Sequence, residues 1–550
     1  MLRFNESNGA FLLYTHDTKA AMKAGLTLST KVRGPEGEAV YFTAGANMQP
    51  DFNPYAVLEF HNEADEACRD RLAPLLRDYR SSWDDDVDRQ FPSPPGYEYL
   101  PYQRAGINYA IGRQHCLIGD APGLGKTIQG VGVANALNAG RVLIVCPASI
   151  RRHWRAKVRE WSTIPHVRVN AIESGSQGVS HTAHFNVISY DLLRNPGVHA
   201  ALRAMNFDLA IFDEAHYLKS VGAQRTRAIF GGGEAGSQFH KNGLNLNIER
   251  MVGLTGTYLP NRPREAYMLA RGFNWESIDY MSQDAFEYRF NPSAQIAKVD
   301  PLTGREFLVN VEAKGRLAEL NARLRCNFMV RRLKEDVLDQ LPDKRYEMTY
   351  VETNGAIREV LAKESLIDFD PNVLFNPDFS LDGTPISTLR REMGEAMVPT
   401  MVDYLRYQLD IVGHPKLIAF AHHTSVIEEL MDRMSKYGPV VQKGGMTDTA
   451  KERAKSDFIN NPDCRLYIGQ LDTMEGVDGL QSVCSDVVFC EPAWNPGRNE
   501  QCVDRVHRIG QHDNCVAHFL LVEGSFNEKV LNTVLEKAEH IHESLDRRIT

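Results

Sequence analysis

Apolar residues along the chain fall into short contiguous runs, separated by longer segments where they recur every three or four positions. The string Val142-Leu143-Ile144-Val145-Cys146 and the runs at 186–189 and 209–212 each fit one buried strand. Their alternation with helical segments between about residues 93 and 275 predicts a parallel sheet covered by helices. After Trp275 the rhythm changes to charged helical material, notably 318–341, and the strand-helix alternation resumes near 416–421. Two α/β lobes separated by a helical insert follow from this pattern. Ahead of them, strand-like pieces at 10–14 and 39–43 and a helical stretch at 63–79 predict a small α+β domain. That domain ends in Asp84-Asp85-Asp86 and the linker Pro92-Ser93-Pro94-Pro95-Gly96, whose prolines cannot continue a helix. The predicted boundaries are 1–92, 93–275, 276–385 and 386–550. At the other end, Ser525 and Glu528 form a capping pattern before Val530, Val534, Ala538 and Ile541, predicting an amphipathic helix on the second lobe. Gly231-Gly232-Gly233 opens a stretch reaching Asn247 that reads as a surface loop.

Composition narrows the class. A chain of 550 residues with 43% hydrophobic and 24% charged residues fits several globular domains. The apolar runs are far shorter than the roughly 20 residues of a membrane span. Met1-Leu2-Arg3-Phe4-Asn5-Glu6 turns polar at once, unlike a secretory signal, so a cytoplasmic location is expected, in a bacterium or an infected host cell. Nine scattered cysteines with no C-x-x-C pair suggest neither a disulfide framework nor a zinc ribbon. A net charge of −9 argues against nonspecific coating of nucleic acid, although a local basic groove is compatible with it.

Three segments carry candidate chemistry. The stretch from Cys116 to Thr127 reads as a strand, a glycine-bearing turn containing Gly123 and Gly125, then a helix. Such a turn aims backbone N–H groups at phosphates, while Lys126 reaches the outer phosphates and Thr127 can ligate magnesium. Its first position is Asp120, where a generic phosphate loop has glycine. Leu209-Ala210-Ile211-Phe212-Asp213-Glu214-Ala215-His216 is a strand ending in two carboxylates, placing Asp213 to hold magnesium and Glu214 to orient or deprotonate an attacking water. Downstream, Arg505 and Arg508 stand at an i, i+3 spacing that would put them on one helix face, as arginine fingers for a γ-phosphate or as a solvated basic face.

Together these residues resemble superfamily-two helicases, specifically the SWI/SNF-type DNA translocases, over roughly residues 100–537. The resemblance implies two RecA-like lobes that share one ATP site. It makes Gln103, in Leu100-Pro101-Tyr102-Gln103, the adenine reader, Asp120 a family mark of the phosphate loop and Asp213-Glu214-Ala215-His216 the DEAH box. The block Pro147-Ala148-Ser149-Ile150-Arg151-Arg152-His153-Trp154 is similar to the family's DNA-contacting segment, so Ser149, Arg151, Arg152 and Arg155 are candidate phosphate contacts. Arg151, Arg155 and Arg159 also form a stripe at intervals of four, while Trp154 and Trp161 are expected to pack. Leu254-Thr255-Gly256-Thr257 is similar to the motif linking ATP state to lobe movement, with Tyr258 where proline is usual. His216 is expected to couple the magnesium site to Thr255, Gly256 and Thr257. Arg331-Arg332-Leu333-Lys334 resembles the bridge to the second lobe, and Gly479 a nucleotide contact. Phe420-Ala421-His422-His423 suggests the annealing-helicase, fork-remodelling branch. Trp494-Asn495-Pro496 and the string from Asp504 to Gln511 are the most specific match.

The implied protein is an ATP- and magnesium-dependent ATPase that translocates on double-stranded DNA, forked or branched forms included, as a monomeric motor with no membrane partner. Strand-unwinding DEAH-type helicases and a nonhydrolytic ATP-dependent clamp are the alternatives. The biological target, protein partners and direction of movement are not legible, and 1–92 receives no function.

Overall fold

The computed structural model describes residues 1–5, 10–23, 26–33, 38–42, 53–232, 241–256, 263–299, 306–312, 316–338, 341–367, 369, 371, 385–474, 477–494 and 496–545. The chain forms two compact units: Met1–Asp120, Lys126–Arg332 and His540–Thr550 make the first, Ala121–Gly125 and Leu333–Glu539 the second.

The first unit is built on a seven-stranded, all-parallel sheet. Its order is Met329–Val330, His115–Ile118, Ile248–Leu254, Phe207–Asp213, Val142–Cys146, Phe185–Ser189 and Val169–Ala171. Alternation along one strand shows why the run at 142–146 is apolar throughout. Leu143 and Val145 enter the core on one face, while Val142, Ile144 and Cys146 enter the core on the other.

The N-terminal domain belongs to this unit. Four antiparallel strands, in the order Leu2–Asn5, Ala10–Thr15, Ala39–Phe42, Thr27–Arg33, precede the helix Glu66–Ser81, whose N-cap Asp65 accepts from Cys68 N at 2.9 Å. Their core also takes in Ala322 and Cys326 of the helix Leu317–Asn327. That helix buries much of its charge. Glu319, Arg323 and Arg325 are buried, with Glu319 receiving bidentate Arg289 at 2.9 Å and Arg323 at 2.8 Å.

The region 276–385 is therefore not simply a helical insert. It holds the hairpin Ser293–Val299 and Glu306–Glu312, then Met329–Val330 in the first sheet and Lys344–Tyr350 in the second. The division between units falls inside it, after Arg332, because short strands on either side of that residue add to different sheets.

The second unit carries a six-stranded, all-parallel sheet: Lys344–Tyr350, Cys515–Leu521, Val487–Phe489, Leu417–Ala421, Leu466–Gln470, Val440–Gln442. Its last helix, Phe526–Leu545, begins as the sequence predicts: Ser525 Oγ accepts from Glu528 N at 3.3 Å, and Glu528 reaches back to Gly524 N at 2.7 Å. The α/β class, with two parallel-sheet lobes and a small N-terminal α+β domain, matches the pattern. All nine cysteines are free and buried.

Candidate nucleotide site

In the first unit, the strand His115–Ile118 runs into the candidate phosphate loop and the helix Lys126–Ala136 follows it. Gly123 and Gly125 adopt φ of +87° and +71°, a left-handed backbone that favours glycine and explains both positions. Lys126 Nζ donates to the carbonyl of Asp120 at 2.7 Å, which curls the lysine over the start of the loop.

Asp120 stands at the entry to the loop. Its side chain is fully buried and faces away from solvent, receiving Arg332 Nε at 3.0 Å, Arg332 Nη2 at 2.6 Å, the Arg332 backbone N–H at 3.1 Å and Gln129 Nε2 at 2.9 Å. Only excellent geometry repays the desolvation of such a pair. Asp120 thus anchors the start of the loop. Gln103 is also buried: its Oε1 accepts from Leu100 N at 3.0 Å, closing the first turn of helix Pro101–Ile111. Thr127 lies one residue inside helix Lys126–Ala136.

The strand Phe207–Asp213 delivers the acidic pair, and Asp213 is held from three sides. Trp154 Nε1 donates to its Oδ2 at 2.7 Å, Glu214 N to its Oδ1 at 2.9 Å, and the Tyr190 hydroxyl to its carbonyl at 2.8 Å. Burial, then the neighbouring Glu214, pushes the Asp213 carboxyl up to about 7, against the pull of Trp154 and Lys126. Glu214 sits at φ +50°, ψ +53°, a left-handed conformation that costs a non-glycine residue about 1–3 kcal/mol. His216 lies between motifs, with Nδ1 3.1 Å from Glu214 Oε2 and 3.2 Å from Thr255 Oγ1. Gly256 accepts from Arg331 at 3.2 Å, and Thr257 lies outside the described residues.

The candidate DNA segment is the exposed Ser149 and the helix Arg151–Trp161. Its arginines differ. Arg151 donates to Ile172 O at 2.6 Å and serves the fold, whereas Arg152 is 57% exposed and only 3.6 Å from Glu173. Arg159 is exposed, and Arg155 is half-buried with its Nε lacking a hydrogen-bond partner. Trp161 packs as expected, its ring 5.0 Å from Tyr97 and 5.3 Å from Tyr99. Trp154 does more than pack, since its indole orients Asp213. That role was invisible in the sequence because the partner lies 59 positions away.

In the second unit, the helix Pro496–Val503 stops short of Arg505 and Arg508. Both lie on consecutive turns, so the shared helix face is corrected. Lys334 grips the Asp504 carboxylate and the His507 carbonyl beyond the end of that helix. Arg505 donates to Val477 O at 3.2 Å and Arg508 pairs with Asp478 at 3.2 Å, so both guanidinium groups meet the same loop. Burial holds the Arg508 guanidinium below its usual range. Gly479, at φ +95°, supplies that loop's left-handed turn, a backbone reason for glycine there.

Residues 102–370 match the SNF2-related domain family. The chain carries an SNF2-related domain. It is 28% identical over 461 residues to the SWI/SNF-related matrix-associated actin-dependent regulator of chromatin subfamily A-like protein 1 of Xenopus tropicalis, covering 82% of this chain and 45% of that protein. It is 27% identical over 466 residues to the human DNA annealing helicase and endonuclease ZRANB3, covering 82% of this chain and 40% of that protein. The chain thus spans less than half the length of these two relatives. Among solved structures, the Sulfolobus solfataricus SWI2/SNF2 ATPase core in complex with dsDNA aligns over 81% of this chain and 92% of that one, at 19% identity and a TM-score of 0.37. The resemblance to the SWI/SNF type agrees with the family match and the two sequence relatives. Within the SNF2-related domain lie Gln103, Lys126, Asp213, Glu214, His216 and Thr255; Arg505 and Arg508 lie beyond its matched range.

Proposed function

We propose that the chain is an ATP-dependent translocase on double-stranded DNA that remodels DNA or protein–DNA complexes. The observation that carries this is the chain Trp154–Asp213–Glu214–His216–Thr255 inside an SNF2-related domain: a buried aspartate and a half-buried glutamate bonded onward to the next motif. Asp213, raised to about 7 by burial and then by the neighbouring Glu214, fits a divalent cation, which would relieve the repulsion between the two carboxylates. Asp213 and Thr127 would hold magnesium, which supplies charge neutralisation at the phosphates. Gln103 would read the base and Lys126 leave the Asp120 carbonyl for the outer phosphates. Glu214, on its strained turn, positions the attacking water. His216 passes the state of Glu214 to Thr255. In the proposed cycle Arg505 and Arg508 stabilise charge developing on the γ-phosphate, and alternating grip on the phosphate backbone moves the protein with little sequence preference. Ser149, Arg152 and Arg155 contribute to that grip. Forked or branched DNA is the substrate class proposed, and the relative named as a DNA annealing helicase supports DNA as the partner.

The test is ATP turnover by wild type and Glu214→Gln with no nucleic acid, duplex DNA, single-stranded DNA or RNA. Strongest stimulation by duplex DNA, with a dead variant, supports the translocase. Strongest stimulation by single strands or RNA replaces it with a strand-unwinding helicase. ATP binding without turnover under every condition makes the protein a clamp.

A further inference from the structure

The N-terminal domain received no function from its sequence, yet its last turn lies two hydrogen-bonded layers from the phosphate loop. Helix Leu317–Asn327 is the connecting piece. Cys326 Sγ donates to Leu75 O at 3.4 Å, Asn327 Nδ2 donates to the Tyr55 hydroxyl at 3.2 Å, and Arg323 lies over the Tyr55 ring at 4.6 Å. Arg325, fully buried on the same helix, stacks its guanidinium 3.5 Å from the centre of the Trp83 ring. It also donates to Ser82 O and Oγ at 3.4 Å and to Arg331 O at 3.0 Å.

From there the contacts fan out over the nucleotide site. Arg331 donates to Gly119 O at 2.7 Å and to Gly256 O at 3.2 Å, tying the loop's entry to the motif after strand Ile248–Leu254. Arg332 holds Asp120 and Gln129, donates to the carbonyl of Tyr102 beside Gln103, and returns to the N-terminal linker at Asp84 O, 3.3 Å away. Two adjacent arginines thus bind the adenine-reading segment, both flanks of the phosphate loop, the coupling motif and the end of the N-terminal domain. There is no slack: a Cβ at Gly106 would come within 2.6 Å of Arg332 Nη2. A guanidinium is a rigid fork, and in a buried, low-dielectric setting none of its bonds can be abandoned cheaply. Segment 82–84 and the loop must therefore shift together.

We propose that the N-terminal domain sets the conformation of the phosphate loop through Trp83, Arg325 and the Arg331–Arg332 pair, which act as positioning residues for nucleotide. This rests on the ATP-site reading above. Reciprocity is built in: whatever 82–84 does for nucleotide affinity, bound nucleotide does for the order of 82–84.

The probe is mant-ADP with magnesium, titrated into the full chain. Trp83→Leu keeps apolar bulk but removes the ring face, and should weaken binding roughly tenfold with the number of sites unchanged. Trp83→Phe, which keeps a ring, should restore wild-type affinity. Fewer sites at unchanged affinity would mean a merely structural role and overturn the proposal. Hydrogen exchange on the wild type decides independently, even if Trp83→Leu does not fold: saturating ADP should slow exchange across 79–84 as well as 118–127, and protection confined to the loop overturns the coupling. Lys126→Ala separates the two readings. If it abolishes binding while Trp83→Leu changes nothing, only the coupling fails; if it binds like wild type, the ATP-site reading falls and the proposal with it.

Discussion

Replacing Arg332 by methionine tests the buried pair at the loop's entry. The variant keeps an apolar stem but removes the two guanidinium bonds to Asp120, of 3.0 and 2.6 Å, leaving Gln129 and a backbone N–H. Hydrogen bonds to a charged group contribute about 1.5–3 kcal/mol each, and breaking a buried ion pair from one side costs about 3–5 kcal/mol. A loss of about 4 kcal/mol is expected, since both carboxylate and guanidinium are inaccessible to water that could replace the bonds. Four of the five tryptophans, Trp83, Trp154, Trp161 and Trp275, lie in the first unit, so intrinsic fluorescence chiefly follows its unfolding. With a urea dependence of about 3 kcal/mol/M, the midpoint should fall by roughly 1.3 M. Asp120→Asn combined with Arg332→Met should recover about 2 kcal/mol relative to the sum of the single variants, because no charge is then left stranded. A midpoint within about 0.3 M of wild type, or a strictly additive cycle, would refute the reasoning.

Three further outcomes follow from the same coordinates. Trp154→Phe deletes the 2.7 Å donor to Asp213 and should raise the magnesium concentration for half-maximal ATP turnover roughly tenfold, an effect absent in Trp161→Phe. The Asp213 carboxyl, raised to about 7, favours its neutral form in the folded state. Its contribution to stability is therefore complete below about pH 4 and lost as pH rises through about 7; melting temperatures without nucleotide or magnesium should decline across that window, and Asp213→Asn should flatten the decline. Arg152→Ala and Arg155→Ala should each reduce the salt dependence of duplex-DNA affinity by about one in log–log slope. Arg151→Ala, whose guanidinium is tied to Ile172 O, should lower the melting temperature and leave the slope unchanged.

Much of the fold is legible because its signals are local. The strand Val142–Cys146 has the bounds its apolar run predicts, and Ser525 begins the last helix through bonds three and four residues long. Glycines 123 and 125 announced their positive φ for the same reason. What was missed depends on distant partners. Arg331 and Arg332 read as part of the bridge to the second lobe, and nothing local reveals their carbonyl and carboxylate partners at Gly119 and Asp120, 212 positions away. The helix Leu317–Asn327 is legible as charged helical material, but nothing near it in sequence reveals that Arg289 neutralises Glu319 or that Trp83 covers Arg325. Arg505 and Arg508 had helical spacing, but the helix stops at Val503 and the Arg508 N–H turns back to Val506 O at 3.1 Å. Local pattern fixes elements and turns; long-range side-chain capture decides which charges are buried.

The nine buried thiols make the molecule its own unfolding sensor. Burial pushes Cys68, Cys116, Cys326, Cys484, Cys502 and Cys515 up to about 12, which removes nearly all thiolate at neutral pH. An alkylating pulse would leave the native chain almost unmarked and record each local opening as a permanent mass tag. Cys68 would report the N-terminal domain, Cys116 and Cys146 two separated strands of the first sheet, and Cys484, Cys502 and Cys515 the second unit. Peptide mapping after brief exposure to heat or urea would then give the order in which these regions come apart, with no engineered label.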